Sequence, residues 1–430
     1  MQLPLLIQIK AKGFAVLFVC LLFSAFSTNI LANANLFAKA NSTQVINPLE
    51  TKEQSCKFTN VVFKVDFEGA RLNSCEQLSQ HEFMLSTDAE NRPINPSPWY
   101  AFKVESSLTQ DIDIVLRAIE SRPRYLPKIS TDGKTWQSLP FSVSEQNMHF
   151  TIPQSKTPIW IAGQEILDNQ SYLDWKNELL LKSENLRHVV IGESTQGRDI
   201  HAYISQQQDN HEWVVIIGRQ HPPEITGALA LKAFVETMYI DAINPAFFER
   251  FNVLIVPNMN PDGVAAGNWR HSSTGVDLNR DWHKFEQIET RLVRDKILSL
   301  LGEYSKLVFA LDFHSTQQDI FYTMPTDYHV APANLVNEWL KELKPRLASS
   351  FVIRERPGSS PGRGVFKQYI ADKFNVHAVT YEMGDNTNRK MIEHVAKEAA
   401  ISLMDKLLTT DSDDFVYLDD KTGGTKTNSP

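Results

Sequence analysis

Apolar residues after about position 171 fall into two alternating patterns. Short continuous runs of branched residues predict buried strands, and longer segments with apolar positions three or four apart predict helices. The predicted strands are Trp213–Gly218, Phe251–Val256, Leu307–Leu311 and His377–Tyr381, and the predicted helices are Ile225–Ile240, Leu335–Ala348 and Arg389–Leu408. Strands that alternate with helices are typical of an α/β fold whose sheet is mainly parallel and flanked by helices. We expect one antiparallel pair, residues 187–205, at the edge of that sheet.

Residues from about 57 to 166 show a different pattern, in which short strand-like runs are separated by turn residues. The candidate strands are Val61–Asp66, Trp99–Val104, Ile112–Arg117 and His149–Ile152. Short strands with such turn signals predict a small antiparallel β-sandwich. We therefore divide the chain into an N-terminal β-sandwich domain, residues 51–168, and an α/β domain, residues 169–409.

The two ends of the chain are expected to lie outside these domains. Residues 1–34 have a basic start, a short apolar run and a small-x-small site, which indicate a secretory signal peptide. A retained N-terminal anchor is the alternative. Residues 35–50 indicate a linker, and residues 410–430 indicate a disordered tail. The prediction is a periplasmic or secreted protein with no stable membrane insertion after signal removal.

Charge and cysteine content refine this prediction. The formal net charge is −8 at pH 7, which does not suit nucleic acid or an anionic membrane surface as a partner. Cys56 and Cys75 stay in the chain after signal removal. In an oxidising compartment we expect them to pair, and two free thiols are the alternative.

Candidate chemistry lies at the ends of the predicted strands, where sites form in open α/β sheets. His221 and Glu224 follow the first strand, and the two prolines between them stiffen the turn. His314 follows the third strand, and Glu382 follows the fourth. Two histidines and a carboxylate can bind one zinc ion per chain and leave a coordination position open. A further glutamate at this edge can act as a base on zinc-bound water.

Each of these residues also has an ordinary structural explanation. His283 and Glu286 repeat the His-x-x-Glu spacing in a charged stretch, where we expect surface residues. A lone histidine at a strand end, such as His314, is more often a core residue than a ligand. Asp312 and Ser315 beside it are ordinary strand-end residues on the same view. The number and the order of the motifs together favour a metal site.

The stretch from residue 257 to residue 282 is similar to a known family. Asn260-Pro-Asp-Gly263, Trp269-Arg270 and Gly275-Val-Asp277-Leu-Asn279-Arg280 match, in this order, the pattern of the zinc carboxypeptidases. The resemblance extends over roughly residues 171–405. Within the family, the chain is most similar to the cytosolic carboxypeptidase branch, because of its His221-Pro-Pro-Glu224 motif and its N-terminal β-sandwich.

The resemblance implies a zinc-dependent carboxypeptidase that hydrolyses the C-terminal residue of peptides with a free carboxylate. His221, Glu224 and His314 match the zinc ligands of the family. Asp277 matches the carboxylate that orients the first zinc histidine. Glu382 matches the general base, in agreement with its place at a strand end.

The same resemblance implies a set of substrate contacts. Arg270 matches the arginine that polarises the scissile carbonyl and stabilises the oxyanion. Asn279 and Arg280 match the pair that grips the terminal carboxylate of the substrate.

The sequence departs from the family pattern in the region before Glu382. Digestive members carry a tyrosine on a mobile loop there, but residues 354–363 contain none, and the nearby Tyr369 is expected on a helix. Gly362-Arg363 resembles an element of the cytosolic branch whose arginine faces an acidic side chain. Arg363 therefore indicates a preference for a C-terminal Glu or Asp, and a solvated loop arginine is the alternative.

Two other functions stay open at this point. An exported amidase that cleaves cell-wall stem peptides would keep the zinc chemistry, because muropeptides also end in carboxylates. A non-catalytic peptide-binding module would keep the fold alone. The presence of all three ligands together with Arg270 and Glu382 favours an enzyme over a binder.

Overall fold

The computed structural model describes residues 43–45, 55–347, 349, 351–416, 418–419 and 424–425. They belong to one unit of the chain, residues 42–430. The predicted signal peptide, residues 1–34, lies outside the described residues, and so does most of the predicted linker.

Two six-stranded sheets form the N-terminal domain. Their strands are β1 Thr43–Val45, β2 Ser55–Lys57, β3 Val61–Lys64, β4 Ser74–Gln77, β5 Glu82–Thr87, β6 Ala101–Ser106, β7 Ile112–Ala118, β8 Lys128–Ser130, β9 Gln137–Ser138, β10 Phe141–Ser144, β11 Asn147–Ile152 and β12 Ile159–Ala162. The sheet orders are β1-β4-β5-β7-β11-β10 and β2-β3-β6-β12-β8-β9. Neighbouring strands are antiparallel, except that β5 and β7 are parallel. The predicted sandwich is confirmed.

A disulfide and an aromatic cluster join the two sheets. Cys56 on β2 pairs with Cys75 on β4, so the bond links one sheet to the other, as we expected for an oxidising compartment. Between the sheets, the buried ring of Phe63 contacts the rings of Phe83 and Phe102 edge to face.

An eight-stranded sheet forms the centre of the second domain. Its strands are β13 Arg187–Glu193, β14 Asp199–Ser205, β15 Glu212–Gly218, β16 Phe251–Val256, β17 Lys306–Thr316, β18 Ile320–Thr323, β19 Glu355–Pro357 and β20 Ala378–Gly384, in the order β13-β14-β16-β15-β17-β20-β18-β19. The four central strands are mutually parallel, and the antiparallel β13–β14 pair lies at one edge. A two-stranded hairpin, β21 Leu418–Asp419 and β22 Gly424–Thr425, follows near the C-terminus. The predicted α/β class with a mainly parallel sheet is confirmed.

Helices cover both faces of this sheet. They are α1 Asn169–Lys182, α2 Ile225–Glu236, α3 Pro245–Arg250, α4 Pro261–Ala266, α5 Ile288–Leu300, α6 Leu335–Leu343, α7 Phe366–Phe374 and α8 Arg389–Thr409, together with a π-helix, Thr237–Asp241, and 3₁₀ turns at Leu278–Arg280, Lys344–Arg346 and Ser412–Phe415. Val214 and Ile216 of β15 join the core under α2 and α8, whereas Val215 and Ile217 join the core under α5 and α7. Because the strand is buried on both faces, its sequence is a continuous apolar run. No helix in the described part of the chain is both long and apolar enough to cross a membrane.

Two strands extend beyond their predicted ends. β17 runs to Thr316 and β20 runs to Gly384, so His314 and Glu382 lie inside strands and not after them. The prediction stopped at the last continuous apolar residue. Beyond that point the strands alternate, since Phe313 and Tyr381 join the apolar core while their polar neighbours face the other side.

The predicted disordered tail, residues 410–430, begins with ordered structure. Residues Ser412–Phe415 form a 3₁₀ turn, and the ring of Phe415 is buried in the core beneath the sheet. A single aromatic side chain in a polar segment is enough to anchor it to the domain. Much of the remaining tail lies outside the described residues.

Candidate active site

The predicted ligands converge where the central parallel strands end. His221 and Glu224 occupy the turn between the end of β15 and the start of α2, and His314 lies three residues from the start of the next loop on β17. The three side chains are buried, and donor atoms from all three lie within 4.8 Å of one another. The structure therefore brings together the three residues that the sequence proposed as ligands.

One carboxylate bridges the two imidazoles. Glu224 Oε1 lies 2.9 Å from His221 Nδ1, and Glu224 Oε2 lies 2.7 Å from His314 Nδ1. The two Nδ1 atoms are 3.2 Å apart. On both rings, Nδ1 is therefore the nitrogen that faces Glu224 and the other imidazole.

The other ring nitrogen of each histidine contacts a second carboxylate. His221 Nε2 lies 2.9 Å from Asp277 Oδ1, and His314 Nε2 lies 2.8 Å from Asp312 Oδ2. A carboxylate at Nε2 holds the proton on that nitrogen and leaves the Nδ1 lone pair free to bind a metal. Asp277 was predicted in this position. At Asp312 the sequence pattern indicates only an ordinary strand-end residue, although its spacing of two from His314 places both side chains on one face of β17.

This arrangement fits a bound cation. When each imidazole carries its proton on Nε2, the Nδ1 lone pairs of His221 and His314 and the carboxylate of Glu224 lie within hydrogen-bonding distance of one another, but no proton lies between them. Two imidazole nitrogens and one carboxylate are the donor set that zinc prefers. The residues present therefore fit Zn²⁺.

Close packing holds α2 against the strand that carries His314. The backbone N–H of Gly227 donates to Ser315 Oγ at 2.8 Å, and Thr226 Oγ1 donates to the same oxygen at 2.8 Å. A β-carbon on Gly227 would lie 2.5 Å from the carbonyl carbon of His314. Only glycine allows this approach, which fixes Glu224, at the start of the helix, next to His314.

Glu382 lies beside the ligands on the neighbouring strand. It is the register partner of His314, and it lines the same cleft. Burial, followed by the negative charge of Glu224, raises the pKa of Glu382 to about 7. Its Oε2 is buried and has no hydrogen-bond partner among the described residues. A cation at the three donors would counteract the charge of Glu224 and favour the ionised form of Glu382.

Arg270, Asn279 and Arg280 also line the cleft. Arg270 Nε donates to Asp277 Oδ2 at 2.7 Å, which ties the arginine to the carboxylate that holds His221. Asn279 is partly engaged by the protein itself, because its Oδ1 accepts from the backbone N–H of Phe366 at 2.9 Å. The side chain of Arg280 is exposed, and one of its nitrogens donates to the carbonyl of Asn279 at 2.6 Å.

The cleft has a volume of about 520 Å³ and is rich in cations. Its lining includes the basic residues Arg124, Arg270, Arg280, Arg356 and Lys367, and the acidic residues Glu224 and Glu382. Lys367 is buried and donates to the carbonyls of Thr323 and Gly358, and burial lowers its pKa to about 8. The cleft therefore suits a ligand that carries negative charge.

Arg363, the predicted specificity residue, is not among the described residues that line this cleft. Its side chain is exposed. Partial desolvation lowers the guanidinium pKa of Arg280 against the opposing charge of Asp277, and the charges of Arg270 and Arg363 lower it further. Arg356 on β19 lines the cleft instead. No sequence pattern predicts this strand, because its three residues are polar or proline.

Tyr369 and the second His-x-x-Glu pair also lie away from the cleft. Tyr369 is on α7, as expected, and its ring packs against Trp282 and Phe285. His283 and Glu286 are exposed, as predicted. The tyrosine that does line the cleft is Tyr322 of β18, a strand that the sequence patterns did not indicate.

The β-sandwich contributes two residues to the cleft that no local pattern identified. Asn95 and Arg124 both line the cleft, and Arg124 also contacts Asp385, the residue after β20. Arg124 Nε and one terminal nitrogen donate to both oxygens of Asp385 at 2.8 and 3.1 Å, and the same terminal nitrogen donates to the carbonyl of Ser315 at 3.0 Å. Both partners adjoin residues of the candidate site, since Ser315 follows His314 and Asp385 lies three positions after Glu382.

Residues 172–402, more than half of the chain, match the Peptidase_M14 family, described as zinc carboxypeptidase. Over 320 residues the chain is 21% identical to cytosolic carboxypeptidase 3 of Mus musculus, which covers 65% of this chain and 31% of that protein. Over 258 residues it is 24% identical to cytosolic carboxypeptidase 6 of Homo sapiens, which covers 52% of this chain and 50% of that protein. The chain thus spans half or less of the length of these curated relatives.

Solved structures of bacterial metallo-carboxypeptidases have a similar fold. The enzyme from Burkholderia cenocepacia superposes with a TM-score of 0.70 at 17% identity, covering 81% of this chain and 99% of that one. The enzyme from Pseudomonas aeruginosa, in complex with (2-guanidinoethylmercapto)succinic acid, superposes with a TM-score of 0.65 at 20% identity, covering 80% of this chain and 99% of that one. Both matches span the β-sandwich and the α/β domain together.

Proposed function

The chain belongs to the zinc carboxypeptidase family, and from that membership we propose that it removes single residues from the C-terminus of peptides, with Glu382 as the general base. One observation supports this proposal above the others. A buried set of three metal donors, an adjacent carboxylate and several arginines line a single open cleft.

His221, Glu224 and His314 would hold Zn²⁺, which supplies Lewis-acid chemistry to the cleft when it is bound. The protein contributes the orientation of these ligands. Asp277 and Asp312 direct the Nδ1 lone pairs inward, and Ser315 and Gly227 keep the two ligand-bearing elements in contact.

Glu382 would take the proton from the water that attacks the scissile carbonyl and pass it to the leaving amine. Its buried and unpartnered Oε2 is free to accept that proton. A raised pKa also suits this role, because a base is most effective when its pKa lies near the working pH.

Arg270 would stabilise the negative charge that develops on the carbonyl oxygen. Its bond to Asp277 fixes one side of the guanidinium group and leaves the other side toward the cleft. Arg280, an exposed cation in the lining, would bind the terminal carboxylate of the substrate, with Asn279 beside it.

We also propose a preference for acidic C-terminal residues. The support is the excess of cations in the cleft, with Arg356 as an exposed arginine in its lining. Arg363, from which this preference was first inferred, lies outside the lining and would act only through its charge on Arg280. Arg356→Ala is expected to reduce the Glu/Asp preference, whereas Arg363→Ala is expected to leave the ranking of C-terminal residues nearly unchanged.

Export to the periplasm or the exterior is a further part of the proposal. It rests on the signal-like residues 1–34 and is supported by the Cys56–Cys75 bond, because disulfides persist in oxidising compartments. Cell fractionation under conditions that trap free thiols tests it. Recovery of full-length protein in the cytosol, with the thiols of Cys56 and Cys75 both free, would contradict export.

The test of activity is cleavage of a peptide panel that differs only in the last residue, with Glu382→Gln as the matched control. We expect release of single C-terminal residues by the wild type and a loss of about 10²- to 10⁴-fold in kcat in the variant, at equal zinc content. No release from any peptide by zinc-loaded protein would overturn the proposal. Cleavage of muropeptides alone would reassign the chain to the cell-wall amidases.

A further inference from the structure

Glu90 of the β-sandwich binds the backbone of the loop that carries Arg270. Its Oε2 accepts from the N–H of Trp269 at 2.7 Å. Its Oε1 accepts from the N–H of Arg270 at 3.0 Å and from that of His271 at 2.6 Å. One carboxylate therefore satisfies three successive backbone donors in the other domain.

This carboxylate is well shielded from water. The side chain of Glu90 is 9% exposed, and the buried guanidinium of Arg71 interacts electrostatically with it. Arg71 also donates to Asn268 Oδ1 at 3.3 Å, one residue before the bound segment. Hydrogen bonds to an ionised acceptor are stronger than neutral ones, and they are stronger still where water is excluded.

The loop itself has little regular structure to fix it. Residues 268–277 lie between α4 and the 3₁₀ turn at Leu278–Arg280 and contain neither helix nor strand. Asn91 adds two contacts, because its Oδ1 lies 2.8 Å from His271 Nδ1 and its Nδ2 donates to the carbonyl of Gly275 at 3.0 Å. The sandwich therefore fixes the loop together with groups of the α/β domain, such as Asn260 Nδ2, which donates to the carbonyl of His271 at 3.3 Å.

We propose that Glu90 is a positioning residue, which holds Arg270 in the orientation needed to stabilise the transition state. The inference rests on the proposed function, in which Arg270 faces the scissile carbonyl. Glu90 fixes the backbone of Arg270, while Asp277 fixes its side chain. The arginine is thus oriented from both ends before a substrate arrives, which is how electrostatic stabilisation becomes effective.

The test variant is Glu90→Gln, which keeps the size of the side chain. It leaves only one oxygen to accept hydrogen bonds from the backbone N–H groups and places an NH₂ group against the loop where the second oxygen was. We expect kcat to fall ~10- to 100-fold while KM changes less than about threefold. A small displacement of a catalytic group weakens binding of the transition state more than binding of the substrate in its ground state. In an Arg270→Ala background, adding Glu90→Gln should lower kcat by less than about twofold, because residues that act as a unit are not additive.

Glu68→Gln is the matched control. Glu68 lies on the same domain, and it also accepts a backbone N–H from the α/β domain, that of Asn169 at 3.2 Å, but it does not contact the Arg270 loop. Its substitution should leave kcat within about twofold of the wild type, as expected for residues that share no partner with Arg270. An equal loss of kcat in both variants would overturn the inference, since it would then reflect domain docking in general.

Amide hydrogen exchange gives a second readout that needs no turnover. In wild-type protein the N–H groups of Trp269, Arg270 and His271 should exchange slowly, and Glu90→Gln should accelerate them at least ~10-fold while Glu68→Gln does not. Unchanged exchange in this segment, or an unchanged kcat in Glu90→Gln, would overturn the inference. If the wild type released no residue from any peptide, the proposed function would fail, and the exchange rates alone would still decide whether Glu90 fixes this loop.

Discussion

His314 and Glu382 are register partners on the neighbouring parallel strands β17 and β20. Paired residues in a parallel ladder project to the same face of the sheet, so the candidate metal ligand and the proposed general base are placed side by side by backbone hydrogen bonds alone. The helix α2 then brings Glu224 against them. The candidate centre is thereby built on the central strands of the sheet, whereas Arg270, a proposed substrate contact, lies on a loop.

Replacing Asp312 should weaken zinc binding. Asp312 Oδ2 is the acceptor for His314 Nε2, and an asparagine there can no longer hold the imidazole proton as firmly. We expect Asp312→Asn to lower zinc affinity ~10- to 100-fold, measured by competition with a chromophoric chelator. Asp372→Asn, at an exposed aspartate on α7, is the control and should bind zinc like the wild type. Equal affinities for all three proteins would contradict the role assigned to Asp312.

A methyl group at residue 227 should disturb both stability and the metal site. The β-carbon of Gly227→Ala would overlap the backbone of His314, and backbone cannot move aside as a side chain can. We expect the free energy of unfolding to fall by about 1 to 3 kcal/mol, with weaker zinc binding, in thermal unfolding followed with and without a chelator. Gly302→Ala, where nothing lies within 4 Å of the added atom, serves as the control. Similar unfolding temperatures for the two variants would show that α2 can shift to make room.

Loss of Arg124 should destabilise the contact between the two domains. Arg124→Ala would leave Asp385, whose side chain is 2% exposed, as an unpaired buried carboxylate. We expect the free energy of unfolding, measured by urea denaturation, to fall by about 3 to 5 kcal/mol, because removing one partner of a buried ion pair leaves the other charge buried without a counter-charge. Arg92→Ala, which breaks exposed pairs with Asp88 and Glu120, should cost less than about 1 kcal/mol. Comparable losses in the two variants would argue against this reading of Arg124.

The stability of the protein should depend on the protonation of His377. Burial lowers the pKa of this histidine from 6.5 to about 4, although its Nε2 bonds to the carbonyl of Pro332. Above pH 6.5 the ring is neutral in both states, so it adds no pH dependence. Between pH 6.5 and 4 the unfolded chain gains a proton that the folded protein does not, and the free energy of unfolding falls by about 3 kcal/mol.

His377→Gln isolates this contribution. Glutamine has a similar length and retains a donor for the carbonyl of Pro332, but it does not titrate. Stability curves of the two proteins, measured by urea unfolding from pH 8 to pH 4, should diverge below pH 6.5, with the wild type losing more. Parallel curves over that range would show that His377 takes up its proton in the folded state as readily as in the unfolded chain.

Local patterns in the sequence were sufficient for the sheet and for the principal site residues. The continuous apolar runs identified the buried strands β15 and β16, because burial on both faces leaves no polar alternation. The ligands His221, Glu224 and His314 followed from motifs at strand ends. Glu382 was found in the same way, although it lies inside its strand.

Contacts between distant parts of the chain were not predictable in this way. Arg124 and Asp385 are 261 positions apart, and Glu90 and Arg270 are 180 positions apart. No periodicity or spacing relates such residues, because their contact depends on how one domain docks on the other. Arg363 shows the limit of a local motif, because Gly358–Ser360 of the same loop line the cleft and Arg363 does not. Asp312 alone had a usable local signal, its alternation with His314 along one strand.

The hydrogen bonds from three backbone N–H groups to Glu90 also constrain how such a chain can change during evolution. Because the contact is to main-chain N–H groups, it would survive substitutions within Trp269–His271 other than proline, whereas the proposed role of Arg270 still requires its own side chain. A gene fusion that exchanged the sandwich for an unrelated module would remove the acceptor for all three donors in one event. The two domains are therefore expected to be inherited as a single module, even though only one of them bears the family signature.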